Sequence, residues 1–214
     1  MTFLDYDLIT SLFHEWKKYN VCSIAIGGGE PLLHPEIDKI VRTAKQLNFF
    51  ISITTNGTIL KKIRPDRINI SYDELHPTFH SFELIQNSID FYNKIGVKKI
   101  GINHIVTSLD SLHLTLKFKH IDHITLLKEK PSDNFKLWTK IPNLHLFWLD
   151  SCLCDTFNFI TCHQGTISFY IDCHLNASIC SNHKSKLKYT NFKDTTRKIN
   201  KIKCKIRDNY YQLD

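Results

Sequence analysis

Gly27-Gly28-Gly29-Glu30-Pro31 is the stretch of this sequence best suited to hold a ligand. Consecutive glycines let a backbone approach a bound molecule closely and take conformations closed to other residues. Glu30 adds an acceptor for an ammonium group at the same place. The glycines equally suit a tight strand-to-helix turn that binds nothing, and residue types alone leave both readings open. A second constellation lies near the end of the chain: Cys152, Cys154, Cys162, Cys173, Cys180 and Cys204 are six of the seven cysteines. The first residues carry two acids and no basic region, so no export signal is expected, and reduced thiols favour metal over disulfides. Thiolates hold iron–sulfur clusters and zinc. The spacing lacks the tight CxxC pairs of a zinc ribbon, which counts against zinc, and plain structural thiols stay open. The seventh, Cys22, fits a buried structural thiol. Twelve histidines invite other metal readings. His76 and His80 are four apart and His120 and His123 are close, but neither pair has the acid of an HExxH motif. Most read as surface or satisfied core residues.

The elements that must position these residues alternate. Residues 5–19 place Leu8, Ile9, Leu12, Phe13 and Trp16 on one helical face. Residues 21–26 form a short apolar run read as a buried strand, and Pro35 sits where the first turn of a helix would begin. Ile37, Ile40, Val41, Ala44 and Leu47 carry that helix on. Strands are predicted at 49–54, 67–72, 98–106, 121–127 and 144–149, and helices at 81–94 and 108–118. The crossovers are long enough for parallel pairing, which predicts an α/β sheet or an open barrel. After residue 149 the character changes. Two short strands, 167–171 and 178–180, flank a turn at 174–176.

Placed on these elements, Gly28, Gly29, Glu30 and Pro31 follow the first strand, and Asn56, Ser71, Asp73 and Asn103 fall at or near the ends of later ones. In open α/β folds ligands bind at the carboxyl ends of strands. Each of the last four residues also suits a turn or strand end on its own account. The run 26–37 resembles the GGEPLLHP region of radical S-adenosylmethionine (radical SAM) enzymes. Residues 52–57, ending Thr-Asn-Gly, resemble the TNG strand end of that family, and 68–73 its strand ending in Ser and Asp. The resemblance covers roughly residues 5–130 in the family's order. It implies an incomplete parallel (β/α) barrel over residues 1–149 with a Cys-rich extension over 150–214. It implies S-adenosylmethionine and a [4Fe–4S] cluster as cofactors, hydrogen abstraction as the chemistry, an electron donor, and a small-molecule or peptide substrate. Carried over, Gly28, Gly29 and Glu30 would bind the methionyl ammonium beside Pro31. Asn56, Ser71, Asp73 and Asn103 would meet the ribose or carboxylate. The Cys152–Cys180 region resembles the tail of many such enzymes, so Cys152, Cys162, Cys180 and Cys204 are the implied ligands of an auxiliary cluster.

The CxxxCxxC loop that holds the family's radical-generating cluster does not occur in these 214 residues. Three accounts stay open: a lost first strand and loop, a degenerate relative acting as a binding protein, and a second polypeptide that supplies the missing part. A zinc-stabilised binding module is the further alternative. The net charge of +7 is spread along the chain, so nucleic acid is not an expected partner. No stretch approaches the roughly 20 apolar residues that span a bilayer, and a cytoplasmic location is expected. The strand at 21–26 has no Lys or Pro to guard it, and without a neighbour on its outer side it becomes an edge prone to association.

Overall fold

A computed structural model describes residues 2–74, 81–127, 140–141, 147–149, 169–180 and 186–202. Its contacts divide the chain into two compact units, Cys22–Asp150 and a second made of Met1–Val21 with Ser151–Asp214.

The Cys22–Asp150 unit is built on a parallel sheet of six strands in the order β1-β2-β3-β4-β5-β6. These are β1 Ser23–Ile26, β2 Phe50–Thr55, β3 Arg67–Ser71, β4 Lys99–Ile105, β5 His123–Leu127 and β6 Trp148–Leu149. Three helices lie between them: α2 Ile37–Gln46, α3 Phe82–Lys94 and α4 Leu109–Thr115. The label α1 belongs to Tyr6–Lys17 of the other unit. Sequential strands pair as parallel neighbours throughout. Each predicted strand of this unit is present with its bounds moved by a residue or two, β2 running on to Thr55; residues 144–146 of the last expected strand lie outside the described residues. Pro35 precedes α2 by two positions, and the turn Pro31–Leu33 ahead of it is a short 3-10 helix.

The register separates two faces. Ile51 and Ile53 align with Ile68 through Ile53, Ile68 and Ile70 with Ile100 and Ile102, and Ile102 with Ile124. All six isoleucines of β2, β3 and β4 in this set are fully buried. This apolar face meets the helices: Ile70 on β3 and Ile85 on α3 converge beside Gly57, and His104 on β4 bonds Ser111 on α4. Apolar burial of this kind contributes about 1.5–3 kcal/mol per large side chain. The opposite face is polar. Ser52 and Thr54 align with Arg67 and Asn69, then with Lys99 and Gly101, while Ser71 aligns with Asn103 and Asn103 with Thr125.

Two expectations for β1 need correction. It is not a buried strand: Ser23 and Ala25 are exposed and Ile24 and Ile26 only half-buried. Cys22 is not a buried thiol but an exposed one just before the strand. Among the described residues β1 pairs with β2 alone, so it lies at the sheet edge, and an edge strand lacks the second neighbour that completes burial.

The second unit joins both ends of the chain. Helix α1 (Tyr6–Lys17) is capped by Asp5, whose Oδ1 accepts from the amides of Asp7 and Leu8. An antiparallel sheet follows in the order β7-β8-β9, from β7 Tyr170–Ile171, β8 Asn176–Ser178 and β9 Leu187–Lys188, with helix α5 at Phe192–Ile199. Leu12 of α1 shares one buried cluster with Ala177, Ile179, Tyr189 and Ile199. Glu15 accepts from Tyr189 Oη at 2.6 Å and from the Phe192 amide at 2.6 Å. The helix expected to belong with residues up to 149 thus shares its core with 169–202. Its apolar stripe fits the hairpin and α5, a pairing no local pattern announces.

Candidate functional site

The carboxyl ends of β1 to β4 lie side by side, since the strands are parallel and adjacent. Gly28, Gly29, Glu30 and Pro31 leave β1, Asn56 leaves β2, Ser71 ends β3 with Asp73 two residues on, and Asn103 lies near the end of β4. All eight residues proposed from sequence for the cofactor therefore occupy one rim of the sheet. Gly28 and Gly29 hold φ of 80° and 43°, the left-handed region that glycine enters at little cost. Both are exposed, and a Cβ on Gly29 would meet nothing within 4 Å.

The other rim residues are not equally open. Glu30 is only 6% exposed. Its Oε1 accepts from the Leu32 amide at 3.0 Å and from Thr55 Oγ1 at 2.8 Å, and its Oε2 from the Asn56 amide at 2.8 Å. Asn56 Oδ1 accepts from the amide and hydroxyl of Thr58, the local turn role its residue type allows. Gly57, at φ 79°, packs so closely that a Cβ would stand 2.9 Å from Ile70 Cγ2 and 3.1 Å from Ile85 Cδ1. Asp73 is buried. Asn103 is half-buried, and its Oδ1 is buried with no hydrogen-bond partner among the described residues. Ser71 is directly across from it on β3.

One row below runs a feature that sequence reasoning missed. Thr54, Asn69, Gly101 and His123 align across four strands. The His123 ring crosses the bare face of Gly101, where a Cβ would occupy the ring's own space, and Nε2 reaches Asn69 Oδ1 at 3.0 Å. An Asn carbonyl only accepts, so Nε2 carries the proton. Burial, then the nearby Arg67 and Lys99, hold the His123 pKa down at about 4 against the opposing pull of Asp122. The imidazole is therefore neutral near pH 7. The period-two pattern of β5 puts His123 on the face opposite Ile124 and Leu126, but nothing local pairs it with Gly101 and Asn69. On the other face His104 is also buried, with Nδ1 2.7 Å from the Tyr72 carbonyl and Nε2 3.2 Å from Ser111 Oγ. Burial lowers its pKa, against the pull of the Tyr72 carbonyl, Asp73 and Glu74. His120 is exposed and pairs with Asp90, while His76 and His80 lie outside the described residues.

Of the four implied metal ligands, Cys152, Cys162 and Cys204 lie outside the described residues, as does Cys154. Cys180 follows β8 and is half-buried, and Cys173 is exposed in the β7–β8 turn. That turn is ordered by Asp172. Its burial would raise its pKa, but hydrogen bonds from Asn176, Lys186 and the His174 amide hold it well below the usual carboxylate range. Among the described residues no group of three His, Cys, Asp or Glu could hold a metal ion.

The rim fits the donor-rich groups of S-adenosylmethionine on one observation: a buried acceptor with no partner among the described residues, Asn103 Oδ1, lies across from Ser71 on the same rim as the open glycine turn. It does not fit the radical-generating cluster. A cluster needs several thiolates, and Cys22 is the single cysteine in Cys22–Asp150.

The family model described as the radical SAM superfamily matches residues 2–131. Over 108 residues the chain is 36% identical to a probable GTP 3′,8-cyclase of Methanococcus aeolicus, covering 42% of this chain and 36% of that protein. The GTP 3′,8-cyclase of Lactiplantibacillus plantarum is 30% identical over 161 residues, covering 64% and 48%. The chain thus spans less than half the length of these curated relatives. Among solved structures, Streptococcus suis SuiB bound to the precursor peptide SuiA superposes with a TM-score of 0.68 at 16% identity, covering 92% of this chain and 60% of that one. That likeness is one of fold: an α/β parallel sheet forming an incomplete (β/α) barrel. With more than half of its length matched by the family model, the chain belongs to the radical SAM superfamily.

Proposed function

We propose that this chain forms the S-adenosylmethionine-binding mouth of a radical SAM enzyme, and that these 214 residues do not themselves hold the cluster that would start radical chemistry. Members of the superfamily bind S-adenosylmethionine and a [4Fe–4S] cluster. When bound, that pair supplies hydrogen-abstracting chemistry; the chain's own residues bind and orient. The orphaned Asn103 Oδ1 carries the reading. A buried acceptor left unmet costs about 1–3 kcal/mol, and a ligand hydroxyl or amine relieves that cost. In this reading Ser71 and Asn103 meet the ribose, Asn56 and Asp73 meet other donors, and Gly28, Gly29 and Pro31 let the methionyl end approach the backbone.

The finer assignments follow from the same reading. Cys152, Cys162, Cys180 and Cys204 hold an auxiliary iron–sulfur cluster, with zinc as the alternative occupant. The substrate is a peptide, as SuiB and its precursor peptide suggest, or a small molecule, as the GTP 3′,8-cyclase relatives suggest. An electron donor and a cytoplasmic location complete the picture; no described helix is long and apolar enough to cross a membrane. The absence of CxxxCxxC from the sequence favours a second reading, a relative that binds S-adenosylmethionine without radical chemistry. An in-frame CxxxCxxC upstream of Met1, or in a partner polypeptide, would favour the enzyme.

Calorimetric titration of the chain with S-adenosylmethionine tests the shared core of both readings. Binding is expected, and Asn103→Leu should weaken it by about tenfold or more. A chain that folds and takes up no S-adenosylmethionine sinks the proposal. Anaerobic reconstitution should load metal that the Cys162→Ala, Cys180→Ala double variant loses.

A further inference from the structure

The glycine turn after β1 and the turn after β2 are joined by one side chain, Glu30. It begins the 3-10 turn Pro31–Leu33 as its cap, with Oε1 accepting from the Leu32 amide. The same oxygen accepts from Thr55 Oγ1 at the end of β2, and Oε2 accepts from the Asn56 amide one residue later. Thr55 Oγ1 in turn accepts from the Gly57 amide at 3.2 Å. Glu30 and Thr55 are 6% and 2% exposed. A carboxylate offers about four acceptor sites, and three here are taken by donors of the fold. Charge-assisted bonds to a buried carboxylate are the strong kind. Gly28 and Gly29, by contrast, are exposed and make no hydrogen bond among the described residues.

We infer that Glu30 is a positioning residue, not the carboxylate that meets the ligand's ammonium. It clamps the Gly28-Gly29 turn to the Asn56 turn, and so sets the width of the mouth between β1 and β2. This rests on the binding site proposed above and revises the role that the family resemblance implies for Glu30.

The two roles separate by coupling. S-Adenosylmethionine and an analogue lacking its α-amino group are titrated into the chain and into Glu30→Gln and Thr55→Val. A positioning role predicts that each variant weakens both ligands by the same factor, about tenfold for the loss of one such bond. The penalty for removing the amino group then stays the same in all three proteins. A direct ligand role predicts that this penalty vanishes in Glu30→Gln, and that result overturns the inference. So does a Thr55→Val protein that binds as the parent does. Amide hydrogen exchange covers the case in which the parent binds neither ligand, which would remove the site reading but not the clamp. Glu30→Ala should then deprotect Leu32 and Asn56 together while the β3 and β4 amides stay protected. Unchanged protection at both amides overturns the clamp on its own.

Discussion

At the scale of single residues, the informative positions are polar groups that the fold either uses up or leaves over. Glu30 accepts from three donors, Asn103 Oδ1 has no partner among the described residues, and burial holds His104 and His123 neutral. The two histidines make stability depend on pH. Burial holds both folded pKa values below the ordinary 6.5, His123 at about 4. The unfolded chain therefore binds more protons as pH falls through 6.5, and stability declines from there toward the folded pKa values. Above pH 6.5 the contribution is complete. The expected loss is at most about 1.4 kcal/mol per pH unit for each group. Urea midpoints at pH 7.5 and 5.0 should show the decline, and His123→Asn should flatten it. A midpoint that rises on acidification would show that the histidines are not held neutral.

At the scale of elements, the sheet is secure along its interior and open at β1. Strands β2 to β5 have partners on both sides, while β1 has one among the described residues. Four residues, Ser23–Ile26, present that edge with no Lys or Pro to blunt it. Such edges pair with other chains. Ala25 is exposed and sits on the polar face, aligned with Ser52, so a Lys there keeps its charge in water. Ala25→Lys should reduce concentration-dependent association in sedimentation velocity, with the circular dichroism of the monomer unchanged. If both proteins associate equally, the contact lies elsewhere.

At the scale of the whole molecule, the chain divides into two compact units. Met1–Val21 joins Ser151–Asp214, and Cys22–Asp150 has a core of its own. Leu12 is 6% exposed within the cluster of Ala177, Ile179, Tyr189 and Ile199. Its truncation leaves a cavity and should cost about 2–5 kcal/mol in that unit. Leu12→Ala is therefore expected to speed amide exchange across 170–199 while exchange in β2, β3 and β4 is unchanged. Faster exchange in the sheet as well would mean that the two cores unfold as one.

The sequence by itself determined the alternation of strands and helices in Cys22–Asp150 and the rim on which the motif residues fall. Those depend on periodicity and on strand ends, which are local. A hairpin after residue 166 was legible for the same reason, but its second strand is Asn176–Ser178 and not 178–180, so the turn comes earlier than the expected 174–176. The edge position of β1 was foreseen from its missing neighbour, but its partial exposure was not, because an apolar run looks alike in a central strand and at an edge. Strand β9 and helix α5 were not foreseen; Phe192–Ile199 is short and has only two apolar residues, Phe192 and Ile199, to mark its buried side. Only the tertiary structure decided what α1 packs against, since an apolar face states that it needs a partner and not which one. Only the tertiary structure brought His123 over Gly101 to Asn69, residues 54 positions apart at their ends. And it alone turned Glu30 inward. Whether a carboxylate faces a ligand or the amides of its own fold is settled by which donors stand within about 3 Å of it, and two of the three donors to Glu30, Thr55 Oγ1 and the Asn56 amide, arrive from the end of another strand.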